Sequence, residues 1–154
     1  MQIKIFVTGG TIDKTRLGPP SVGYEQQKSS ILEMLGQSFC TLPVSVENLM
    51  NKSSRNISDD DRKLIVRKCT ATPEHRILVT HGTITMSETA KYLCRRIKGK
   101  TIVLTGAFVP FKVKNSDALF NLGAALMAVQ TLPPGVYVCM HGEVYQYNYR
   151  YYKH

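Results

Sequence analysis

Four short segments place small residues and hydroxyls directly after apolar runs: Thr8-Gly9-Gly10-Thr11, Thr80-His81-Gly82-Thr83-Ile84-Thr85, Gly106-Ala107 and His141-Gly142-Glu143. Glycines at such points, here Gly10 and Gly82, let backbone N–H groups approach an anion. Threonine hydroxyls, here Thr11 and Thr83, supply a nucleophile or a hydrogen-bond partner. Together they have the composition of a carboxylate or oxyanion site, although Gly-Thr turns after strands are more often simple turns. His75, His81, His141 and His154 lack metal-ligand spacing, so neither a metal nor any other cofactor is expected. Cys40, Cys69, Cys94 and Cys139 contain no CxxC pair, which removes a zinc knuckle or a dithiol motif and leaves buried thiols in a reducing cytoplasm.

The elements that would position these segments alternate along the chain. Gln2 to Thr8 reads as a strand stopped by Gly9-Gly10, and Leu17 to Gln27 as a mobile loop of turn formers. Ser29 or Ser30 caps a short helix ended by Gly36, and Phe39 to Val46 is a further β-branched, apolar run. Ser58 with Asp59, Asp60 and Asp61 opens a helix whose basic cluster, Arg62, Lys63, Arg67 and Lys68, reads as a solvated face. Arg76–Thr80, Thr101–Thr105 and Val136–Met140 are compact buried strands, separated by helices over Ser87–Ile97 and Ser116–Gln130. This alternation predicts an α/β fold, an open three-layer sandwich with a mostly parallel sheet. Ligands of such sheets lie beyond the carboxyl ends of the strands, where the four segments fall.

The 154 residues suit one domain, and 43% hydrophobic with 20% charged residues excludes a disordered chain or a coiled coil. The net charge of +9 describes a field, not a site. No nucleic-acid motif accompanies it, and no apolar run is long enough to span a membrane or serve as a signal peptide. A soluble, cytoplasmic protein is expected. Tyr145, Tyr147, Tyr149 and Tyr151 alternate near the end, as in an edge strand with one aromatic face, and this stripe offers a route to a homo-oligomer.

TGGTI (Thr8–Ile12), HGTITMSETA (His81–Ala90), LTGAFVP (Leu104–Pro110), NSDALFNL (Asn115–Leu122) and GVYVCMHGE (Gly135–Glu143) occur in this order across nearly the whole chain. In them the sequence resembles the bacterial-type L-asparaginase family, in its N-terminal domain. The resemblance implies hydrolysis of L-asparagine to L-aspartate and ammonia, with Thr11 as nucleophile. Tyr24 then assists from the loop, Thr83 belongs to a Thr-Lys-Asp relay, Ser54 holds the substrate carboxylate, and the Ala107 backbone positions the amide. His81 takes a structural part, and Asp117 is a helix cap or loop-fixing residue rather than a catalyst.

The sequence departs from that family in three places. HGTIT puts Ile84 where the family aspartate grips the substrate ammonium and joins the relay. The relay lysine falls on Tyr152, with Lys153 one residue later. The match covers one of the family's two domains, whereas the family site is completed by a neighbouring subunit's C-terminal domain. The expectation is therefore a single asparaginase-like domain, 1–154, with impaired or absent hydrolysis. The alternative is a non-catalytic, truncated homologue that binds a small carboxylate or acts as an interaction domain.

Overall fold

The computed structural model describes residues 1–147 and residue 150. Five parallel strands, β1 (Ile3–Val7), β2 (Val44–Asn48), β3 (Arg76–Thr80), β4 (Thr101–Thr105) and β5 (Gly135–Met140), form one sheet with β6 (Glu143–Tyr145) antiparallel at its edge. The strand order is β2-β1-β3-β4-β5-β6. Helices α1 (Ile31–Gln37) and α4 (Ala118–Thr131) cover one face, and α2 (Asp59–Ala71) and α3 (Met86–Arg96) the other.

The continuous apolar strands follow from burial on both faces. Ile3, Ile5, Val7, Leu78 and Val103 pack toward α1 and α4, while Phe6, Ile77, Val79, Ile102 and Leu104 pack toward α2 and α3. The three-layer α/β sandwich read from the alternation is the observed fold. Ser58 caps α2 in a reciprocal box with Asp61, and Ser29 rather than Ser30 supplies the hydroxyl at the start of α1.

Three local readings are corrected. The apolar run Phe39 to Val46 is split: Phe39, exposed at φ 52° with its N–H on Gly36 O, and Cys40 finish α1, and β2 begins only at Val44. Arg62 is not solvated, for it is buried against α3 and donates to Thr89 Oγ1, with Asp59 and Glu88 as ion pairs. His141-Gly142 is a hairpin turn at φ 52° and 83° into β6, not part of the ligand-facing set. Of the alternating tyrosines, Tyr145 ends β6 and is half-buried, and Tyr147 beyond it is exposed; Tyr149, Tyr151, Tyr152 and Lys153 lie outside the described residues.

Asn121 holds the ends of β4 and β5 together. Asn121 is itself without solvent exposure; its Nδ2 donates to Gly106 O at 2.9 Å, and its Oδ1 accepts the His141 N–H at 2.9 Å. Asn121→Ala leaves buried groups unpaired, and urea denaturation should show a loss of about 2–4 kcal/mol.

Candidate active site

A cavity of about 500 Å³ opens beyond the carboxyl ends of β1 and β3, lined by Gly10, Thr11, Lys14, Ser54, Arg55, Gly82, Thr83, Ile84 and Phe108 among others. Its floor is backbone. Gly9 and Gly10 stand at φ 100° and 93°, which L side chains rarely adopt. Gly10 passes so close to the β3 loop that a Cβ there would lie 2.5 Å from Gly82 N. A Cβ on Gly82 would in turn lie 2.6 Å from Ser54 Cβ. The β1 and β3 loops thus meet backbone to backbone, with the Ser54 side chain packed directly on Gly82, and the three loops are fixed by Gly10 N–H to Lys52 O (3.1 Å) and Thr85 Oγ1 to Ser54 O (2.8 Å).

Thr11 opens a single 3-10 turn, Thr11–Asp13. Among the described residues the hydroxyls of Thr11, Ser54 and Thr83 have no hydrogen-bond partner, so all three face the cavity uncommitted. Asp13, which the sequence reading passed over, ends the turn and is buried. It accepts the Ser30 N–H at 2.8 Å and the Ser29 hydroxyl at 3.0 Å. Burial raises its pKa in spite of those bonds. Gln27 Nε2 donates to Asp13 O at 2.6 Å, so the loop from Lys14 to Ser30 starts and returns at one residue.

Tyr24 lies within that loop. It does not line the main cavity but a neighbouring recess of about 260 Å³, and its buried hydroxyl donates to Gly10 O at 2.7 Å. Burial, and then the charge of Asp13, push its phenol well above the usual value. Ala107 is buried, and Phe108 after it reaches the cavity instead. Asp117 fixes that loop: its carboxylate accepts the N–H groups of Phe108 (2.9 Å) and Val109 (2.9 Å), and His141 Nε2 at 2.7 Å. Desolvation opposes its ionisation, but the Phe108 N–H, the His141 ring and the Val109 N–H together hold it below the ordinary carboxylate range.

Behind Gly82 runs a buried chain. Arg62 Nε donates to Thr89 Oγ1 (3.1 Å), the Thr89 hydroxyl donates to His81 Nε2 (2.8 Å), and His81 Nδ1–H donates to Gly82 O (2.7 Å). His81 is fully buried, and burial lowers its pKa to about 4, with the backbone bond opposing and Arg62 assisting. The neutral ring holds the Gly82-Thr83 turn.

Lys14 and Arg55 were also missed. Their signal was position, three residues after Thr11 and one after Ser54, hidden by counting charge over the whole chain. Lys14 Nζ donates to Gly18 O at 2.9 Å, and burial followed by the Arg55 charge lowers its pKa. Among the described residues no three His, Cys, Asp or Glu side chains gather as for a metal.

The family model described as Asparaginase, N-terminal matches residues 2–152. The chain belongs to the asparaginase family. It is 31% identical over 151 residues to the L-asparaginase of Thermococcus kodakarensis, covering 94% of this chain and 45% of that protein. It is 30% identical over 153 residues to the probable periplasmic L-asparaginase of Haemophilus influenzae, covering 92% and 43%. The solved thermostable L-asparaginase from Thermococcus kodakarensis superposes at a TM-score of 0.80 with 28% identity, covering 96% of this chain and 46% of that one. The chain therefore spans about half the length of the relatives it matches, and what it matches is their N-terminal domain. Among the described residues no helix is long and apolar enough to cross a membrane.

The asparaginase-type HGT turn is held by a ring that must stay neutral. The unfolded chain takes up a proton on His81 near pH 6.5, and the folded chain only near pH 4. Stability is fully present above 6.5 and falls as pH drops through this window, by about 1 kcal/mol per pH unit. Asp13, raised by burial, contributes in the opposite direction, favouring the fold at low pH. Urea midpoints measured from pH 7 to 4 should fall in the wild type, and more shallowly in His81→Asn.

Proposed function

We propose that this chain is the nucleophile-bearing domain of an asparaginase-type amidohydrolase site whose hydrolysis of L-asparagine is impaired. The observation that supports it is the convergence of three uncommitted hydroxyls, Thr11, Ser54 and Thr83, on one cavity. Thr11 Oγ attacks the side-chain amide carbon, the C–N bond breaks, and nitrogen leaves as ammonia with the hydroxyl proton. Water then cleaves the resulting ester and restores Thr11. Ser54 and the backbone at Gly10 and Gly82 receive the carboxylate, the Ala107–Phe108 backbone guides the amide, and Thr83 orders the water.

The impairment has a physical basis. No carboxylate or imidazole lines the cavity among the described residues, and a phenol raised like that of Tyr24 is a poor proton acceptor near neutral pH. In this reading Tyr24 positions the loop through Gly10 O rather than taking the proton. Ile84, 39% exposed at the cavity, offers hydrocarbon to a substrate ammonium. A missing charged partner of that kind costs about 2–5 kcal/mol. The place of the relay lysine, Tyr152 or Lys153, is outside the described residues.

The same lack of a carboxylate or imidazole in the lining supports the second reading, a non-catalytic carboxylate-binding domain. Association with a second copy, or with a chain carrying the family's other domain, belongs to this proposal, as does the single-domain reading of 1–154. The four cysteines are free, in keeping with a cytoplasmic setting.

Ammonia release from asparagine and glutamine by the purified protein separates the readings. Slow turnover abolished by Thr11→Ala is expected, with asparagine turnover raised at least about tenfold by Ile84→Asp. Turnover that survives Thr11→Ala removes the nucleophile, and none in either wild type or Ile84→Asp favours the binding domain.

A further inference from the structure

The cavity carries charge of one sign. Lys14 and Arg55 line it, and among the described residues no carboxylate does. Arg55 has no ion pair among those residues, while Lys14 is tethered by Gly18 O at 2.9 Å in a loop anchored at both ends. The nearest carboxylate in sequence, Asp13, is buried and spends its oxygens on Ser29 and Ser30 at the start of α1. Its charge is turned to the protein rather than to a ligand.

Two neighbouring cations without counter-charge repel each other, and an anion relieves that repulsion. An ammonium group entering the same space adds to it and finds only neutral groups on the remaining wall, Ser53, Asn56, Ile84 and Phe108 among them. The uncommitted hydroxyls and glycine backbone accommodate a carboxylate but give no anionic partner to an amine.

We propose that the cavity takes an amine-free anionic amide, the monoamide of a short dicarboxylic acid, with Lys14 and Arg55 drawing in its carboxylate and its amide carbon offered to Thr11. The amide half of this statement rests on the hydrolytic reading above; the anion half does not. Hydrolysis balances without a further reactant. The Thr11 Oγ–carbon bond forms as C–N breaks, ammonia departs with the hydroxyl proton, and water splits the ester to give a dicarboxylate and free Thr11.

Titration calorimetry of the full chain with succinate, aspartate and inorganic phosphate tests the anion half, and ammonia release from succinamate and asparagine the amide half. Succinate should bind at least about tenfold tighter than aspartate. Arg55→Gln, an exposed change that should leave the circular dichroism spectrum intact, should shrink that preference, as should Lys14→Gln. Succinate preference with no release from succinamate supports the ligand class and removes the hydrolytic reading. Thr11-dependent release from asparagine with no succinate preference overturns the ligand class and leaves the hydrolytic reading standing. Aspartate binding as tightly as succinate, phosphate binding more tightly, a preference untouched by either variant, or no binding at all also overturns the proposal.

Discussion

The site depends on backbone meeting backbone where the first and third strands end. Gly10, Gly82 and Ser54 come so close that a methyl group on either glycine would strike the neighbouring loop. This contact brings a threonine from the β1 loop, a threonine from the β3 loop and a serine from the loop after β2 to one cavity. Chain segments more than 70 residues apart are placed by the register Val7–Thr80 and by the absence of side chains between them. Packing interiors resist continuous deformation, so such a contact either forms or is lost.

Polar groups behind the contact stop it from drifting. Arg62, Thr89 and His81 form a buried line ending on Gly82 O, and the α2–α3 pairing thereby reaches the site. Asp117 and Asn121 act likewise on the other side, tying the β4 loop and the end of β5 to the start of α4. Asp13 closes the long loop on itself. None of these residues lines the cavity: His81, Asp13, Asp117 and Asn121 satisfy backbone groups of the loops, and Arg62 and Thr89 reach the loop through the His81 ring.

Much of this was legible in the sequence because the strands are short, apolar and spaced by helices. RILVT and TIVLT lie where the alternation put them, and the five motifs identified the family before any geometry. The Phe39 run misled because apolar composition does not distinguish the end of a helix from the start of a strand, and the left-handed backbone at Phe39 has no glycine to announce it. Arg62 misled because a basic cluster on a helix reads as solvated until the partner helix is known. Lys14, Arg55 and Asp13 were invisible for a related reason: their parts depend on which way a turn points them, and Asp13 points inward while Lys14 points into the cavity. Motif resemblance located the hydroxyls and passed over the charges that decide which ligand they meet.

If the glycine contact is what builds the cavity, a single methyl group placed in it should empty the site without unfolding the sheet. Gly10→Ala tests this most directly, with Gly99→Ala as control, since Gly99 shares a left-handed backbone at φ 76° but has open space around its Cα. Calorimetric titration with succinate should show at least about a tenfold loss of affinity in Gly10→Ala and none in Gly99→Ala, with the far-ultraviolet spectrum unchanged in both. Succinate binding to Gly10→Ala with wild-type affinity would contradict the account.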